Sequence, residues 1–201
     1  MKLKDFDPEL DNHLLNYTMS IKNPKLSSSS TWVNHLSKFE NKMRQLGWKM
    51  IGDGAYSIVY KNPKNDYVLK VNKVADRAFS YFVNLISKHQ SIHFPHIKAI
   101  REFGGSLNAY LIEPLYSMKF PTIQKKKMFL ENCIYFSDKP YASIEDAPYP
   151  TPTFPLSLKE DIQFLSINKS NYFMDIHADN LMQRKDKTIV IIDPYSQGFV
   201  F

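Results

Sequence analysis

The sequence has few of the features that mark secreted or membrane-bound chains. Its 201 residues include a single cysteine, Cys133, which has no intrachain disulfide partner and cannot build a cysteine zinc cluster. No run approaches the roughly 18 apolar residues needed to cross a bilayer. The first ten residues alternate charged and apolar side chains, unlike a secretory signal. We therefore expect a soluble cytoplasmic protein with no membrane partner.

Composition limits the size of the core and the kind of partner. With 43% hydrophobic and 14% aromatic residues, the chain can bury one sizeable core or two small lobes. A net charge of +6 favours acidic partners and is compatible with nucleic acid, without naming either. The densest basic run, Lys125-Lys126-Lys127, precedes Met-Phe-Leu, which is typical of the solvated face of an amphipathic helix. A docking patch is the alternative interpretation.

The N-terminal part predicts an arm followed by a packing helix. Residues 1–30 are polar, with Asn23-Pro24 and four consecutive serines before Thr31, which indicates a separate arm and a flexible join. Apolar residues then recur every three or four positions, at Trp32, Leu36, Phe39, Met43 and Leu46. This spacing predicts a helix that Gly47 ends.

The rest of the chain predicts an α+β protein. Short alternating runs predict strands over residues 48–51, 56–60, 67–71, 97–103 and 108–113, with one helix over residues 74–88. Helices over residues 122–136 and 156–168 follow, separated by a proline-rich loop. A run of strands with one helix, then helices, then a strand pair around the acidic motifs, which includes residues 188–192, predicts two lobes with the site between them.

Two acidic motifs lie close together in the C-terminal part. Asp175 precedes Asn180 by five residues, and Asp193 ends the apolar run Thr-Ile-Val-Ile-Ile. Kinase-type phosphotransferases hold a substrate hydroxyl and the metal ions of a nucleoside triphosphate in this way. Asp175 would accept the proton of the attacking hydroxyl, and Asn180 and Asp193 would bind Mg²⁺. The alternatives are a transition-metal site that uses His177, and a polar loop without chemistry.

A glycine-rich turn and a lysine lie upstream in the order that such a site requires. Gly52, Gly54 and Ser57 occupy a turn between two predicted strands, where backbone N–H groups can approach phosphates, and Val59 could cover the base. Lys70 follows Gly54 by sixteen residues in the strand Val-Leu-Lys-Val. We interpret Lys70 as the lysine that pairs with the α- and β-phosphates of ATP.

Together these blocks resemble the small serine/threonine protein kinases of T7-like bacteriophages. The resemblance covers residues 47–196 and rests on the glycine turn, Lys70, the Asp-x-His-x-x-Asn loop that starts at Asp175, and Asp193-Pro194. It implies a truncated bilobal kinase-like fold, with a five-stranded N-lobe sheet carrying one helix and a reduced, mainly helical C-lobe. The implied domain is residues 31–201 after the arm of residues 1–30, with the lobes meeting at residue 113.

The resemblance also implies a function. The protein would be an early phage protein of the host bacterial cytoplasm that uses ATP and Mg²⁺ to phosphorylate host proteins of transcription and RNA processing, RNA polymerase among them. Asp175 would be the catalytic base, Asn180 and Asp193 the metal ligands, and Lys70 the phosphate lysine. The segment that begins at Glu113 would bind adenine through backbone groups.

Two alternatives arise from departures from the kinase pattern. No glutamate occurs between Val71 and Arg101 to pair with Lys70, and Asp76 is the nearest acid. This departure favours a non-catalytic, kinase-shaped protein that binds and inhibits a host protein. His177 replaces the usual lysine, as in aminoglycoside phosphotransferases, which favours a small-molecule acceptor. Only eight residues follow Asp193, so we expect no activation loop.

Overall fold

The protein has two compact units built from helices and antiparallel strands. A computed structural model describes residues 8–21, 29–103, 107–150 and 154–197. The first unit contains the described residues up to Asp76 together with His96–Pro114, and the second contains Arg77–Pro95 and the described residues from Leu115 onward. The predicted α+β class is confirmed. Within the described ranges, no helix combines the length and the apolar character needed to cross a membrane.

The first unit is organised around a five-stranded antiparallel sheet. Two helices precede the sheet, α1 (Pro8–Ile21) and α2 (Ser29–Gln45). The strands are β1 (Lys49–Asp53), β2 (Ser57–Lys61), β3 (Val68–Asn72), β4 (Ile97–Glu102) and β5 (Asn108–Ile112). Their spatial order is β1-β2-β3-β5-β4, so β3 is the central strand. All five predicted strands are present, each within two residues of the predicted ends.

The end of α2 shows how the sequence directs the chain into the sheet. The N–H of Gly47 donates to the carbonyl of Arg44 (3.0 Å), and that of Trp48 donates to the carbonyl of Met43 (2.8 Å). This pair of bonds is the Schellman cap, and it needs a residue with positive φ, which Gly47 supplies at +82°. The prediction that Gly47 ends the helix is confirmed. The side chains of Trp32 and Leu36 lie outside the described part of α2.

One face of the sheet and both helices share a single apolar core. Alternate residues of the strands are buried there, with the helix residues above them: Leu10, Leu14, Tyr17, Phe39, Met43, Trp48, Ile58, Tyr60, Leu69, Val71, Ala99, Ala109 and Leu111. The ring of Phe39 stacks on Tyr17 at 4.0 Å between centroids and meets Tyr60 edge-on at 5.9 Å. The alternation explains why the strands were predictable, since period two places every second side chain in the core.

Helix α1 belongs to this core, although its sequence was interpreted as part of an arm. Leu10, Leu14 and Tyr17 are spaced by four and three residues, so they share one face of the helix. Asp11 lies 2.9 Å from the Arg101 side chain on β4, which adds an ionic contact between helix and sheet. Residues 1–7 and 22–28 of the predicted arm and join lie outside the described residues. The division into an arm of residues 1–30 and a domain of residues 31–201 stays a prediction.

The second unit combines three helices with short strands. Its helices are α3 (Arg77–Ile86), α4 (Ile123–Asp138) and α5 (Leu156–Ile167). Its strands are β6 (Tyr116–Ser117), β7 (Phe173–Met174), β8 (Leu181–Gln183), β9 (Ile189–Ile191) and β10 (Tyr195–Ser196), forming a three-stranded sheet β6-β8-β9 and a pair β7-β10. The three predicted helices are confirmed, and so is the strand predicted over residues 188–192. Residues 77–95 group with this unit, whereas the sequence interpretation assigned them to the lobe of residues 31–113.

An aromatic cluster explains that grouping of α3. The ring of Phe82 meets the rings of Phe94 and Tyr195 edge-on, at 6.1 and 6.2 Å between centroids. Tyr195 also donates its hydroxyl to the carbonyl of Leu165 (2.8 Å), and burial raises its pKa. Cys133 is fully buried in α4, and burial raises the pKa of its thiol, as is usual for a free cysteine that packs as a small apolar side chain.

Because α1 packs in the core, substitution of either of two neighbouring leucines should have a very different effect on the free energy of unfolding. Leu14 is fully buried, whereas Leu15 is exposed. We expect Leu14→Ala to lower the free energy of unfolding by about 2–5 kcal/mol because it leaves a cavity in the core. Leu15→Ala should change it by less than about 1 kcal/mol. Urea denaturation of the two variants measures both values, and equal losses would show that α1 does not pack as described.

Candidate functional site

Lys70 lies in the middle of the central strand of the first unit, opposite Val59 on β2 and Tyr110 on β5. Its neighbours Leu69 and Val71 point into the core cluster, so alternation places Lys70 on the other face of the sheet. Lys70 is nevertheless only 8% exposed. The strand that carries Lys70 is the central one of the five. A buried ammonium needs compensating partners.

Asp76 supplies a carboxylate to this lysine. The Lys70 Nζ lies 4.0 Å from the Asp76 Oδ2, and Asp76 is only 4% exposed. Asp76 immediately precedes helix α3, so the chain returns to the strand lysine without the longer reach of a glutamate. Lys70 therefore has a carboxylate partner even though no glutamate occurs between Val71 and Arg101. Removing one member of a buried ion pair is usually costly, because the other charge stays buried.

The glycine-rich turn joins β1 and β2. The N–H of Gly54 donates to the carbonyl of Ser57 (2.9 Å), and Gly52 lies opposite Val59 in the strand register. Neither glycine has a positive φ, and a Cβ atom would meet its nearest neighbour at 3.7 Å in both cases, which is ordinary contact. The hairpin itself does not require glycine at either position. Both positions could therefore serve the close approach of another group to the backbone.

An ion pair ties this turn to the end of the central strand. The Lys73 Nζ lies 2.5 Å from the Asp53 Oδ1, and the Lys73 N–H donates to the carbonyl of Tyr56 (2.8 Å). Asp53 stands between the two glycines, so these contacts hold the turn over the segment that follows Lys70. The four residues predicted to bind nucleotide lie in this hairpin: Gly52 on β1, Gly54 in the turn, and Ser57 and Val59 on β2, the strand that pairs with the strand of Lys70.

Glu113 is occupied by contacts within the sheet. Its N–H donates to the carbonyl of His96 (3.0 Å), and its Oε1 accepts from the N–H of His96 (2.8 Å). Pro114 has no N–H to offer. If the segment at residues 113–116 binds adenine, as predicted, a backbone donor must come from Leu115 or Tyr116.

The acidic motifs of the second unit are brought together by three hydrogen bonds. The Asp175 N–H donates to the carbonyl of Pro194 (2.7 Å), next to Asp193. The Asn180 Nδ2 donates to the carbonyl of Asp175 (2.8 Å). On the other side of Asp193, the Ile192 N–H donates to the carbonyl of Asn180 (3.0 Å). The structure therefore joins Asp175, Asn180 and the residues flanking Asp193 in one small network.

Local strand pairing supports this network. Met174 pairs with Tyr195 in the β7-β10 ladder, and Leu181 pairs with Ile191 in the β8-β9 hairpin. Asn180 ends a single 3₁₀ turn, Ala178–Asn180, between β7 and β8. The acidic residues thus lie in loops, where catalytic side chains are commonly held by a rigid scaffold.

His177 contacts two carboxylates with opposite sides of its ring. Its Nε2 lies 3.7 Å from the Asp175 Oδ1, and its Nδ1 lies 4.0 Å from the Asp179 Oδ2. The Nδ1 also accepts from the Asp179 N–H (3.3 Å). Within the described ranges, no group of three or more His, Cys, Asp or Glu side chains is arranged to hold a metal ion.

The hairpin that carries Asn180 and Asp193 has anchors that the sequence did not indicate. The Ile191 N–H donates to the carbonyl of His93 (2.8 Å), and the Arg184 guanidinium donates to the carbonyls of Ile92 and Phe94, the latter at 3.0 Å. Arg184 and residues 92–94 are about ninety positions apart in the chain. No spacing or composition signal connects them, so sequence reasoning could not find this contact.

A polar cluster around the buried Asp161 in the same unit was also missed. Ser91 donates to the Asp161 Oδ2, and the His89 Nε2 lies 3.7 Å from the Asp161 Oδ1. Burial raises the pKa of Asp161, while the hydrogen bond from Ser91 acts in the opposite direction. This cluster links α5 to the loop after α3 and does not include any of the predicted site residues.

Comparison with known proteins does not assign the chain to a family. No protein-family model matches it, and no curated protein is similar enough to count as a match.

The buried pair Lys70–Asp76 predicts a measurable energetic coupling. We expect Lys70→Met to lower the free energy of unfolding by about 3 kcal/mol, because it leaves the Asp76 carboxylate buried. In a double-mutant cycle with Asp76→Asn, the coupling should be about 1–2 kcal/mol. Urea denaturation of the single and double variants gives this value.

The pair Lys73–Asp53 is the matched control, since the Asp53 side chain is mostly exposed. Its cycle with Lys73→Met and Asp53→Asn should give at most about 1 kcal/mol. A coupling for Lys70–Asp76 no larger than that of the control would contradict a functional buried pair.

Proposed function

We propose that the protein transfers the γ-phosphate of ATP to a hydroxyl group in a Mg²⁺-dependent reaction, as a serine/threonine protein kinase of the small bacteriophage type that acts on host proteins. The observation that carries this proposal is the three-bond network that holds Asp175, Asn180 and the neighbours of Asp193 together. Its hydrogen bonds use backbone atoms and the amide of Asn180. None of these three bonds uses a carboxylate oxygen of Asp175 or Asp193, the groups proposed for proton transfer and metal binding.

In the proposed reaction, Asp175 acts on the acceptor. Its side chain is 42% exposed, so an incoming hydroxyl can reach the carboxylate. The acceptor oxygen forms a bond to the γ-phosphorus while its proton passes to the Asp175 carboxylate. The bond between the γ-phosphorus and the bridging oxygen breaks, and ADP leaves. The backbone of Asp175 is held on both sides, at its N–H by Pro194 and at its carbonyl by Asn180, which orients the carboxylate.

Asn180 and Asp193 are the proposed Mg²⁺ ligands. Carboxylate and amide oxygens suit this hard cation. The Asn180 Nδ2 donates to the carbonyl of Asp175, which leaves Oδ1 as the atom of that side chain able to bind a metal. When bound, Mg²⁺ would neutralise charge on the phosphate oxygens. The backbone on either side of Asp193 is held by bonds to Asn180 and Asp175, so its position is well defined.

Lys70 and the glycine turn support nucleotide binding. A lysine buried on the central strand, with Asp76 near its ammonium, fits the role of a positioned cation for the α- and β-phosphates. A Cβ atom at Gly52 or Gly54 would make only ordinary contacts. The packing of the turn therefore does not explain why both residues are glycine. Backbone N–H groups at such a turn can approach phosphate oxygens closely.

The contact of His177 with Asp175 favours a second candidate function, transfer to a small molecule. Nε2 of His177 is 3.7 Å from the proposed base, in the position where aminoglycoside phosphotransferases also have histidine. The third possibility, a non-catalytic binding protein, loses its main sequence argument, because Asp76 provides the carboxylate that the missing glutamate would have supplied.

Asp175→Asn should separate binding from transfer. We expect the affinity for ATP to stay within about twofold, because the change removes a base and no phosphate contact, while transfer falls by at least about a hundredfold. The assay incubates the protein with ATP labelled at the γ-phosphate, Mg²⁺ and bacterial lysate, and measures label in protein bands and in the small-molecule fraction. Calorimetry measures ATP affinity.

Asp179→Asn is the matched control. Asp179 lies in the same loop, and its side chain is 96% exposed, so its loss should leave transfer nearly unchanged. Label in protein bands that disappears with Asp175→Asn alone supports a protein kinase. Label confined to the small-molecule fraction would favour the second candidate. Transfer that survives Asp175→Asn would remove Asp175 from its role, and ATP binding without any transfer would favour a non-catalytic protein.

A further inference from the structure

The second unit contains an apolar cavity that the proposed phosphotransfer does not use. Its volume is about 440 Å³, within the range of roughly 300–1,000 Å³ that is common for ligand sites. It lies between α4, the segment before α4 and the loop before α5. Apolar side chains form most of its wall: Phe120, Pro121, Met128, Phe129, Pro150 and Phe154.

Aromatic packing holds the wall in place. The ring of Phe129 contacts those of Phe120 and Phe154, at 5.5 and 5.2 Å between centroids. Phe154 also packs on Phe136, which is fully buried, at 5.5 Å. The cavity is therefore supported by the core of the unit. A preformed apolar cavity of this kind can accept a large side chain at little cost in ordering.

Among the described residues, two polar side chains line the cavity, and one of them is already engaged. The Asn132 Nδ2 donates to the carbonyl of Tyr149 (3.4 Å), and its Oδ1 accepts from the Tyr149 N–H (3.3 Å). Lys125 is the other polar residue, on the exposed first turn of α4. The cavity thus offers apolar contact together with one positive charge.

The surface beside the cavity is strongly basic. Residues 115–133 contain four lysines and a single acid, Glu131, which pairs with Lys127 at 3.7 Å. Lys125 and Lys126 are exposed and lie near the N-terminus of α4, where the helix dipole adds positive potential. The run Lys125-Lys126-Lys127 therefore has a feature that a plain solvated helix face lacks, namely an apolar cavity at its side.

We propose that this cavity is a docking site for an acidic peptide segment of a protein partner. An aromatic or large aliphatic side chain of the segment enters the cavity, and acidic residues beside it meet Lys125 and Lys126. A nucleic acid fits less well, because a base offers polar edge groups that need hydrogen-bond partners, and Asn132 is engaged with Tyr149. The proposal does not depend on phosphotransfer.

The test uses the full chain and short fluorescein-labelled peptides in fluorescence polarisation. The first peptide has one central phenylalanine between runs of Glu and Asp. The second replaces that phenylalanine by alanine, and the third replaces every Glu and Asp by Gln and Asn. We expect the first to bind at least about tenfold more tightly than either of the others, since each lacks one half of the recognition.

Protein variants then locate the site. Lys125→Glu should weaken binding of the first peptide by about tenfold, because it reverses the charge at the cavity. Lys185→Glu, at an exposed lysine in the turn after β8, should have no effect. Phe120→Ala tests the apolar wall and should also weaken binding, while thermal unfolding verifies that each variant is folded.

Three outcomes would overturn the proposal. The first is equal binding of the three peptides, or no binding of any. The second is equal weakening by Lys125→Glu and Lys185→Glu, which would indicate a diffuse charge effect. The third is a labelled single-stranded DNA that binds more tightly than the acidic peptide and loses binding with Lys125→Glu, which would assign the surface to nucleic acid.

Discussion

Backbone hydrogen bonding between the loop at residues 175–180 and the segment at residues 192–194 is the constraint on which the candidate site depends. Two bonds of 2.7 and 3.0 Å join the residues on either side of Asp193 to Asp175 and Asn180, and a third of 2.8 Å joins Asn180 to Asp175 within the loop. These bonds use main-chain groups and one amide, and none of them uses a carboxylate oxygen. In a phosphotransfer site, the loop backbone must be held by groups other than the catalytic side chains, since positioning and electrostatics supply most of the catalysis.

The same network depends on the hairpin β8-β9 being held in the second unit. That hairpin is bonded to residues 92–94 through Ile191 and Arg184. Residues 92–94 follow α3, whose Phe82 packs on Phe94 and Tyr195. Tyr195 belongs to β10. This strand pairs with β7, and β7 ends immediately before Asp175. The aromatic cluster and the acidic loop are therefore parts of one structural unit, and damage to the former should disturb the latter.

Sequence reasoning was accurate where a pattern repeats over several residues. The alternation of apolar side chains predicted the five strands of the first sheet, and the spacing of Phe39 and Met43 predicted α2. It predicted a strand pair around the acidic motifs but gave no bounds for β6, β7, β8 or β10, which have two or three residues and carry no detectable period. It also treated α1 as part of an arm, because Leu10, Leu14 and Tyr17 stand among polar residues.

The candidate site was predictable to the extent that its residues are close in sequence. Asp175, Asn180 and Asp193 lie within nineteen positions, and their spacing alone suggested that they belong together. The approach of Asp76 to Lys70 depends on where α3 begins, and the anchoring by Arg184 depends on contacts between distant segments, so neither could be inferred from spacing. The apolar cavity beside Lys125 likewise appears only when α4 and the proline-rich loop are folded together.

The most direct test of the central claim is the Mg²⁺ dependence of ATP binding, measured by calorimetry with Mg²⁺ and with a chelator. The account predicts that Mg²⁺ strengthens binding to the native protein and that Asp193→Asn removes most of this gain. The matched variant Asp186→Asn, in the exposed turn between β8 and β9, should keep it. An affinity for ATP that is indifferent to both Mg²⁺ and Asp193→Asn would contradict the proposed site.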